Sequence, residues 1–376
     1  MFTIDNGLNM RLTSLDVFRG ITIAAMILVN MAGVSGKVYP SLDHASWNGC
    51  TPTDLIFPFF LFIIGVAMAF SLAKYTTENR KPTKDLYIKI FIRTLILFVL
   101  GLVLNGFYKY DFSTIRLMGV LQRISIAYFF ASIIILNFKP RQQIAIACTI
   151  LIGYWLAMTV INVPEYGAGI LTKTGNFGAY IDRLIIPKAH LYRGDEFNQM
   201  GDPEGLFSTL PAIVSVLFGY LTGTWIKDND QDSRTSMDLV IFGLSALIIG
   251  IIWDFAFPIN KKIWTSSYVM FTTGWALLML AGCFELIEVR KKETWAKPFE
   301  VMGLNAIFAF VASVLLIKFL AKTNIGEISI YQWMYKNLFV SWLGELNGSL
   351  IFALITLLFW WVIVYIMYMK KWFIKV

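Results

Sequence analysis

Long apolar stretches separated by short polar segments dominate the pattern of this chain. Each stretch is close to the ~20 residues that an α-helix needs to cross the hydrocarbon core of a bilayer. The period-two alternation of transmembrane β-strands is absent. The pattern therefore predicts an all-α polytopic membrane protein with about ten transmembrane helices, which are Leu15–Val34, Asp54–Ala73, Leu86–Gly106, Ile115–Leu136, Ile144–Val163, Leu206–Ile226, Met237–Phe257, Trp264–Ile287, Val301–Leu320 and Leu350–Met369.

The composition agrees with this prediction, because 57% of the 376 residues are hydrophobic and only 15% are charged. Soluble domains carry about 25% charged residues. The segment Met1–Met10 lacks the basic region of a signal peptide, so the first span is expected to be retained. The three cysteines have no CxxC spacing, which predicts neither a metal site nor a disulfide framework. Residues 1–376 are expected to form a single transmembrane domain.

Basic residues collect in the loops on one side of the predicted bundle. Because cytoplasmic loops carry the excess of lysine and arginine, both termini are predicted to be cytoplasmic. The net charge of +8 is then a topology signal, and its dispersal among loops argues against a nucleic-acid partner. The outer face receives the long loop Ile161–Gly205 and the interrupted apolar segment Ser329–Gly348, which is predicted to be a re-entrant or interfacial helix.

His44 is the first candidate for chemistry. It is one of two histidines and follows the first span on the predicted outer face. Imidazole is the only side chain whose unperturbed titration falls near neutral pH. Asp54, ten residues further on, either orients this imidazole or caps the second helix. Trp47 taken alone is typical of the aromatic belt at a membrane interface.

A few polar residues interrupt the predicted spans. Arg123 lies seven residues into the fourth span, about 10 Å deep at 1.5 Å per residue. A charge inside a span costs roughly 2.5–3.5 kcal/mol, so Arg123 should face the protein interior or a wet cavity. Lys89 and Arg93 are four residues apart, so they share one face of the third span near its cytoplasmic end. Arg19 lies at the cytoplasmic end of the first span. These three are either snorkelling anchors or cations that bind a ligand. Such features alone indicate a transporter or a membrane enzyme.

Several motifs, taken together and in order, resemble the heparan-α-glucosaminide N-acetyltransferase family and its bacterial relatives. The resemblance extends over essentially the whole chain. Its motifs are Arg11–Gly20, Val29–Asn30, His44–Gly49, Asp54–Phe60, Gly119–Ile124, Ile181–Arg183, His190–Tyr192, Asp202–Leu206, Pro258–Tyr268 and Gly303–Asn305.

The resemblance implies a multi-pass acyltransferase of a bacterial inner membrane that takes acetyl-CoA as cosubstrate, without a metal. Such an enzyme acetylates an amino sugar on the far side of the membrane, and the family suggests a homodimer surrounded by membrane lipid. The family's essential histidine and functional asparagine correspond to His44 and Asn30, with Asp54 as the third expected catalytic residue. The CoA phosphates are expected at Arg19, Lys89, Arg93 and Arg123, and the acceptor at Trp47, Asn48, His190 and Tyr192.

Two mechanisms stay open from the sequence. His44 acts either as a general base toward the attacking amine or as a nucleophile that is itself acetylated. Asn30 is expected to donate a hydrogen bond to the developing oxyanion in both. His190 is the rival catalytic residue. Two other functions also stay open: a non-enzymatic transporter of a sugar or lipid-linked intermediate, and an O-acyltransferase.

Overall fold

The computed structural model describes residues 12–32, 37–76 and 82–374. The segment Met1–Met10, the predicted end of the first span at Val34 and the basic residues Arg11, Arg80, Lys81 and Lys375 lie outside the described residues.

Helices account for nearly all of the regular structure that is described. Two short antiparallel hairpins, β1–β2 (Asn162–Val163 with Gly167–Ala168) and β3–β4 (Asn324–Ile325 with Ile328–Ser329), lie in loops. The α-helices are α1 Thr13–Asn30, α2 Ile56–Ser71, α3 Ala73–Thr76, α4 Lys84–Gly106, α5 Val120–Asn137, α6 Pro140–Val160, α7 Phe177–Ile185, α8 Thr209–Asp228, α9 Ser233–Asp254, α10 Ser266–Phe284, α11 Lys297–Leu304, α12 Ala306–Lys322, α13 Ile330–Tyr335 and α14 Ser341–Met369.

Nine helical segments within the described ranges are long and apolar enough to cross a membrane. The bent pair α11–α12 brings the number to ten if the two helices form one broken span. The prediction of an all-α polytopic membrane protein with about ten transmembrane helices is therefore confirmed.

The fourth predicted span begins too early. Residues 115–119 are not helical, and α5 starts only at Val120, so Arg123 is the fourth residue of its helix. It thus lies about 5 Å from the helix start, not about 10 Å. This non-helical segment is held by the Asn105 side chain, whose Nδ2 donates to the carbonyls of Arg116 and Met118 at 2.9 Å each. These hydrogen bonds keep the segment out of the helix, although its apolar sequence predicted that it belongs to the span.

The last two predicted spans also differ in detail. The ninth is broken at Asn305, where α11 and α12 meet at 68°. The Asn305 amide donates to the carbonyl of Trp372 and accepts from the backbone N–H of Ile374, so it binds the C-terminal segment. The segment Ser329–Gly348, predicted as a re-entrant or interfacial helix, is helical from Ile330 and is separated by a kink at Gly344, whose backbone angles are non-helical, from the helix that ends at Met369.

Four helices begin at the same end of the bundle. Asp54, directly before α2, accepts a hydrogen bond on its carbonyl from the Tyr268 hydroxyl of α10 at 2.6 Å. Arg123 of α5 binds the hydroxyl of Ser208, which precedes α8. We call this end the histidine face, because His44 lies there, and we call the other end the opposite face. At the opposite face Ser14 of α1 donates its N–H to Glu288 after α10, at 2.8 Å.

Close backbone packing joins α2 to α8 in the centre of the bundle. A Cβ atom built on Gly65 would lie 2.0 Å from the carbonyl oxygen of Val216, and one on Gly219 would lie 2.0 Å from that of Phe62. Small residues allow membrane helices to approach this closely and to gain van der Waals contact. These glycines therefore fix the distance between two of the helices that carry the histidine face.

Replacement of Gly65 by alanine is expected to destabilise the protein by about 1–3 kcal/mol, because the new methyl group meets backbone that cannot move alone. Thermal unfolding of the detergent-solubilised protein, followed by tryptophan fluorescence, measures this effect. Gly153→Ala on α6 is the matched control, since a Cβ there has nothing within 4 Å. Equal midpoints for the two variants would contradict the close α2–α8 contact.

Candidate active site

Two loops that are distant in sequence form the wall of the candidate site. Gly49 pairs with Asn260 in an isolated parallel bridge, and its N–H donates to the carbonyl of Ile259 at 2.7 Å. The Asn260 side chain donates to Oδ1 of Asn48 at 3.1 Å. The motif around His44 and the motif Pro258–Tyr268 are therefore parts of one site.

Asp54 holds the imidazole of His44. Oδ1 of Asp54 lies 2.7 Å from His44 Nδ1, and its Oδ2 accepts the backbone N–H groups of Ala45 at 3.0 Å and Thr51 at 3.1 Å. The Asp54 side chain is only 2% exposed, whereas that of His44 is 47% exposed. With a carboxylate as the partner, Nδ1 is the nitrogen that donates, and this contact leaves Nε2 unoccupied.

Both sequence interpretations of Asp54 describe contacts in the structure. Thr51 and Asp54 form a reciprocal capping box at the 3-10 turn Pro52–Leu55 that leads into α2. The same carboxylate contacts the imidazole through its other oxygen. The helix start therefore fixes the carboxylate, and the carboxylate fixes the ring.

Lys261 completes a triangle with these two groups. Its Nζ lies 3.1 Å from His44 Nδ1 and 3.3 Å from Asp54 Oδ1. Burial lowers the pKa of Lys261, while the negative charge of Asp54 opposes that shift. Lys261 lies in the motif Pro258–Tyr268, but nothing in the sequence pattern assigns it a role. Its neighbour Lys262 pairs elsewhere, with Asp195 at 3.0 Å.

Arg123 lies near this triangle, at the histidine face. It is fully buried, and its guanidinium stacks on the indole of Trp264, 4.8 Å from the ring centroid. One Nη donates to the hydroxyl of Ser208 and, at 3.4 Å, to the carbonyl of Gly205. Its Nε and other Nη have no hydrogen-bond partner in the described part of the chain. The expectation that Arg123 faces the protein interior is confirmed.

A buried ion cluster that the sequence did not predict lies beside Arg123. The Arg116 guanidinium donates to both carboxylate oxygens of Asp202, at 2.8 and 2.5 Å, and also to Glu204. Burial alone would lower the pKa of Arg116, but Glu204 and Asp202 raise it above its ordinary value. The Asp202–Glu204 motif carried a sequence signal, whereas nothing local marks Arg116 as its partner.

The residues predicted for the acceptor are spread around the histidine face. The indole N–H of Trp47 donates to the carbonyl of Leu171 at 2.9 Å, and Asn48 binds Asn260. Nδ1 of His190 lies 2.7 Å from the carbonyl oxygen of Ile115. The ring of Tyr192 lies under the guanidinium of Arg116, at 4.2 Å, and burial raises the pKa of Tyr192 to about 12.

The remaining predicted residues do not join this group directly. Asn30 is exposed at the C-terminal end of α1, and within the described ranges no hydrogen bond links it to His44. Arg19 pairs with Asp16 at 2.9 Å near the start of α1. Lys89 is exposed on α4, and Arg93 stacks on the ring of Tyr128 at 4.9 Å.

The four cations predicted to bind the CoA phosphates therefore lie at two different depths of the helical bundle. Arg19 lies toward the opposite face, where α1 begins, and Lys89 lies in the second turn of α4. Arg123 lies at the histidine face, beside two carboxylates. No group of three or more histidine, cysteine, aspartate or glutamate side chains with the geometry of a metal site occurs among residues 12–32, 37–76 and 82–374.

Fold and site together define a multi-pass, all-α integral membrane protein that presents a carboxylate-bound histidine at one face. The model of the family described as "Heparan-alpha-glucosaminide N-acetyltransferase, catalytic" matches residues 11–187. The human and mouse heparan-alpha-glucosaminide N-acetyltransferases are each 28% identical to this chain over 419 residues. The alignments cover 97% of this chain and 60% of each relative.

The chain is thus similar to the heparan-alpha-glucosaminide N-acetyltransferases, as its motifs indicated. The matched segment 11–187 contains His44, Asp54 and Arg123. Lys261 and the Asp202–Glu204 motif lie beyond it.

Proposed function

We propose that this protein is a transmembrane acetyltransferase that moves the acetyl group of acetyl-CoA to the amine of a glucosamine-type sugar. The names of the human and mouse relatives support this reaction class. The observation that carries the proposal is the imidazole of His44, which is fixed at Nδ1 by Asp54 and exposed over about half of its surface. An imidazole held in this way can act on a substrate through Nε2.

In the first version of the mechanism His44 is a general base. The sugar amine attacks the thioester carbonyl, the C–N bond forms, and Nε2 takes the proton that the nitrogen loses. The tetrahedral adduct then collapses, the C–S bond breaks, and the CoA thiolate leaves and takes up a proton. Asp54 stabilises the imidazolium that forms between these steps, as the carboxylate of a catalytic triad does.

In the second version His44 is a nucleophile. Nε2 attacks the thioester, CoA leaves as a thiolate, and an acetyl-imidazole forms on the protein. The sugar amine then attacks this intermediate and releases the imidazole. In both versions the oxyanion needs a hydrogen-bond donor, and Asn30 is the proposed one. Asn30 lies at the end of α1 that precedes the His44 loop, so a modest movement of that loop is part of the proposal.

We assign the opposite face to the cytoplasm and the histidine face to the acceptor side. The excess of basic residues at the opposite face supports this orientation. Arg19, Lys89 and Arg93 are the proposed contacts of the CoA phosphates, and Trp47, Asn48, His190 and Tyr192 are proposed to surround the sugar. The 18 residues of α1 span about 27 Å, a distance that the extended pantetheine arm covers in large part.

Purified protein incubated with acetyl-CoA and glucosamine is expected to release free CoA and to form an N-acetylated sugar. Mass spectrometry identifies the product, and resistance of the acetyl group to hydroxylamine distinguishes an amide from an ester. An ester product would support O-acylation instead. Glucosamine uptake by protein-containing vesicles without acetyl-CoA, together with no acetylated product, would contradict the proposal and support a transporter.

Labelled acetyl-CoA without acceptor separates the two versions of the mechanism. The nucleophile version predicts label on the wild-type protein that His44→Ala does not retain, and the label should pass to glucosamine on addition. The base version predicts release of CoA only when the amine is present.

A further inference from the structure

The position of Lys261 is set by a tightly bonded loop. The backbone N–H of Asn260 donates to the Thr265 hydroxyl at 3.0 Å, and its Oδ1 accepts the N–H of Ile263 at 3.1 Å. The N–H of Trp264 returns to the carbonyl of Lys261 at 3.1 Å. Together with the bridge to Gly49, these bonds hold the lysine toward the His44 segment. The side chain of Lys261 is only 20% exposed.

The charges that face His44 come from three directions. Asp54 contacts Nδ1 from the turn before α2, and Lys261 contacts it from the loop before α10. On its own segment, the Asp43 carboxylate accepts the backbone N–H of His44 at 2.9 Å. Glu204 acts on Lys261 through its negative charge, which opposes the lowering of the lysine's pKa by burial.

A carboxylate beside an imidazole favours the imidazolium, because opposite charges attract. An imidazolium has no lone pair, so it can neither accept a proton nor attack a thioester. A positive charge next to the pair opposes this effect of Asp54 and increases the fraction of imidazole that is neutral. The ammonium of Lys261 supplies this charge 3.1 Å from Nδ1, while it also binds the same oxygen of Asp54.

We infer that Lys261 is a positioning residue that keeps His44 neutral and holds the Asp54 carboxylate against Nδ1. This inference deepens the proposed function and rests on it. Lys261 acts through His44, and no contact with the substrate is required of it. Its position also explains how a histidine that contacts a buried carboxylate can still present a free lone pair.

Nuclear magnetic resonance of histidine-labelled protein in detergent tests this inference. The chain contains only His44 and His190, and a His190→Gln variant assigns the two signals. In Lys261→Met the midpoint of the His44 titration is expected to rise by about one pH unit or more, because a positive charge within contact distance has been removed. The arginine variant is expected to restore most of the wild-type midpoint.

Lys262→Met is the matched control, since that neighbouring lysine pairs with Asp195. An unchanged His190 signal shows that a variant is folded. Equal His44 midpoints in folded Lys261→Met and Lys262→Met would overturn the inference. The titration needs no turnover, so absence of acetyl transfer in the activity assay would contradict the proposed function without affecting this result.

The rate of acetyl transfer gives a second readout. In Lys261→Met the rate is expected to fall, by up to about ten-fold for each unit of the shift at pH values below the wild-type midpoint, and to recover as the pH rises and His44 becomes neutral again. A loss that is the same at every pH would indicate a merely structural lysine and would overturn the inference.

Discussion

Replacement of His44 by alanine is expected to lower the rate of acetyl transfer by about 10²–10⁴-fold, the usual contribution of a general base. The KM for acetyl-CoA is expected to change little, because the proposed phosphate contacts lie elsewhere. The loss of rate should be this large because no second imidazole contacts the site. His190, the other histidine, is bound through Nδ1 to the carbonyl of Ile115, at 2.7 Å.

Steady-state kinetics of His44→Ala, Asp54→Asn and the double variant measure this effect. Since Asp54 acts through the imidazole, the double variant should be hardly slower than His44→Ala alone. Because about half of the His44 side chain is exposed, added imidazole should reach the space left by the substitution and restore part of the rate. Full activity of His44→Ala together with inactive His190→Ala would reverse the assignment.

Sequence reasoning predicted the spans well because the membrane imposes a single simple requirement. About 20 apolar residues are needed wherever a helix crosses, and this requirement does not depend on tertiary contacts. It fails where an apolar segment has a better polar alternative. Ile115 is an example, because its carbonyl binds His190 and the carbonyls of Arg116 and Met118 bind Asn105, so the segment stays outside the helix.

Asn305 marks a different limit. The residue stands inside an apolar stretch that has the length of one span, and a lone asparagine there is compatible with an unbroken helix that binds its neighbour. Its side chain instead binds the backbone of residues 372 and 374, about seventy positions later. Only the folded chain brings that partner close, so the break could not be predicted locally.

The candidate site likewise has one part that the sequence predicts locally and one part that only the tertiary structure brings together. His44 and Asp54 lie ten residues apart, and the capping pattern at Thr51 is a local signal for the position of the carboxylate. Lys261 lies 217 residues from His44, beside a second lysine that points to a different partner. Without the pairing of Gly49 with Asn260, nothing distinguishes these two lysines. The triangle of His44, Asp54 and Lys261 is thus a product of the tertiary structure.

The largest stability effect is expected at the ion cluster beside the site. Replacement of Arg116 by methionine should destabilise the protein by about 3 kcal/mol or more, because it leaves buried carboxylates without their partner. The Asp202 side chain is fully buried and that of Glu204 is 15% exposed. Burial raises the pKa of Asp202 even with the arginine present, so its carboxylate already depends on this contact.

Thermal unfolding of the detergent-solubilised variants checks this prediction, with Arg290→Met as the matched control. Arg290 pairs with Glu285 at 2.8 Å, but 59% of its side chain is exposed. An exposed pair contributes about 0–1 kcal/mol, so the control should unfold close to the wild type. Adding Asp202→Asn and Glu204→Gln to Arg116→Met should recover part of the loss, because neutral side chains are less costly to bury. If Arg116→Met and Arg290→Met have the same unfolding midpoint, the ion cluster does not stabilise the histidine face.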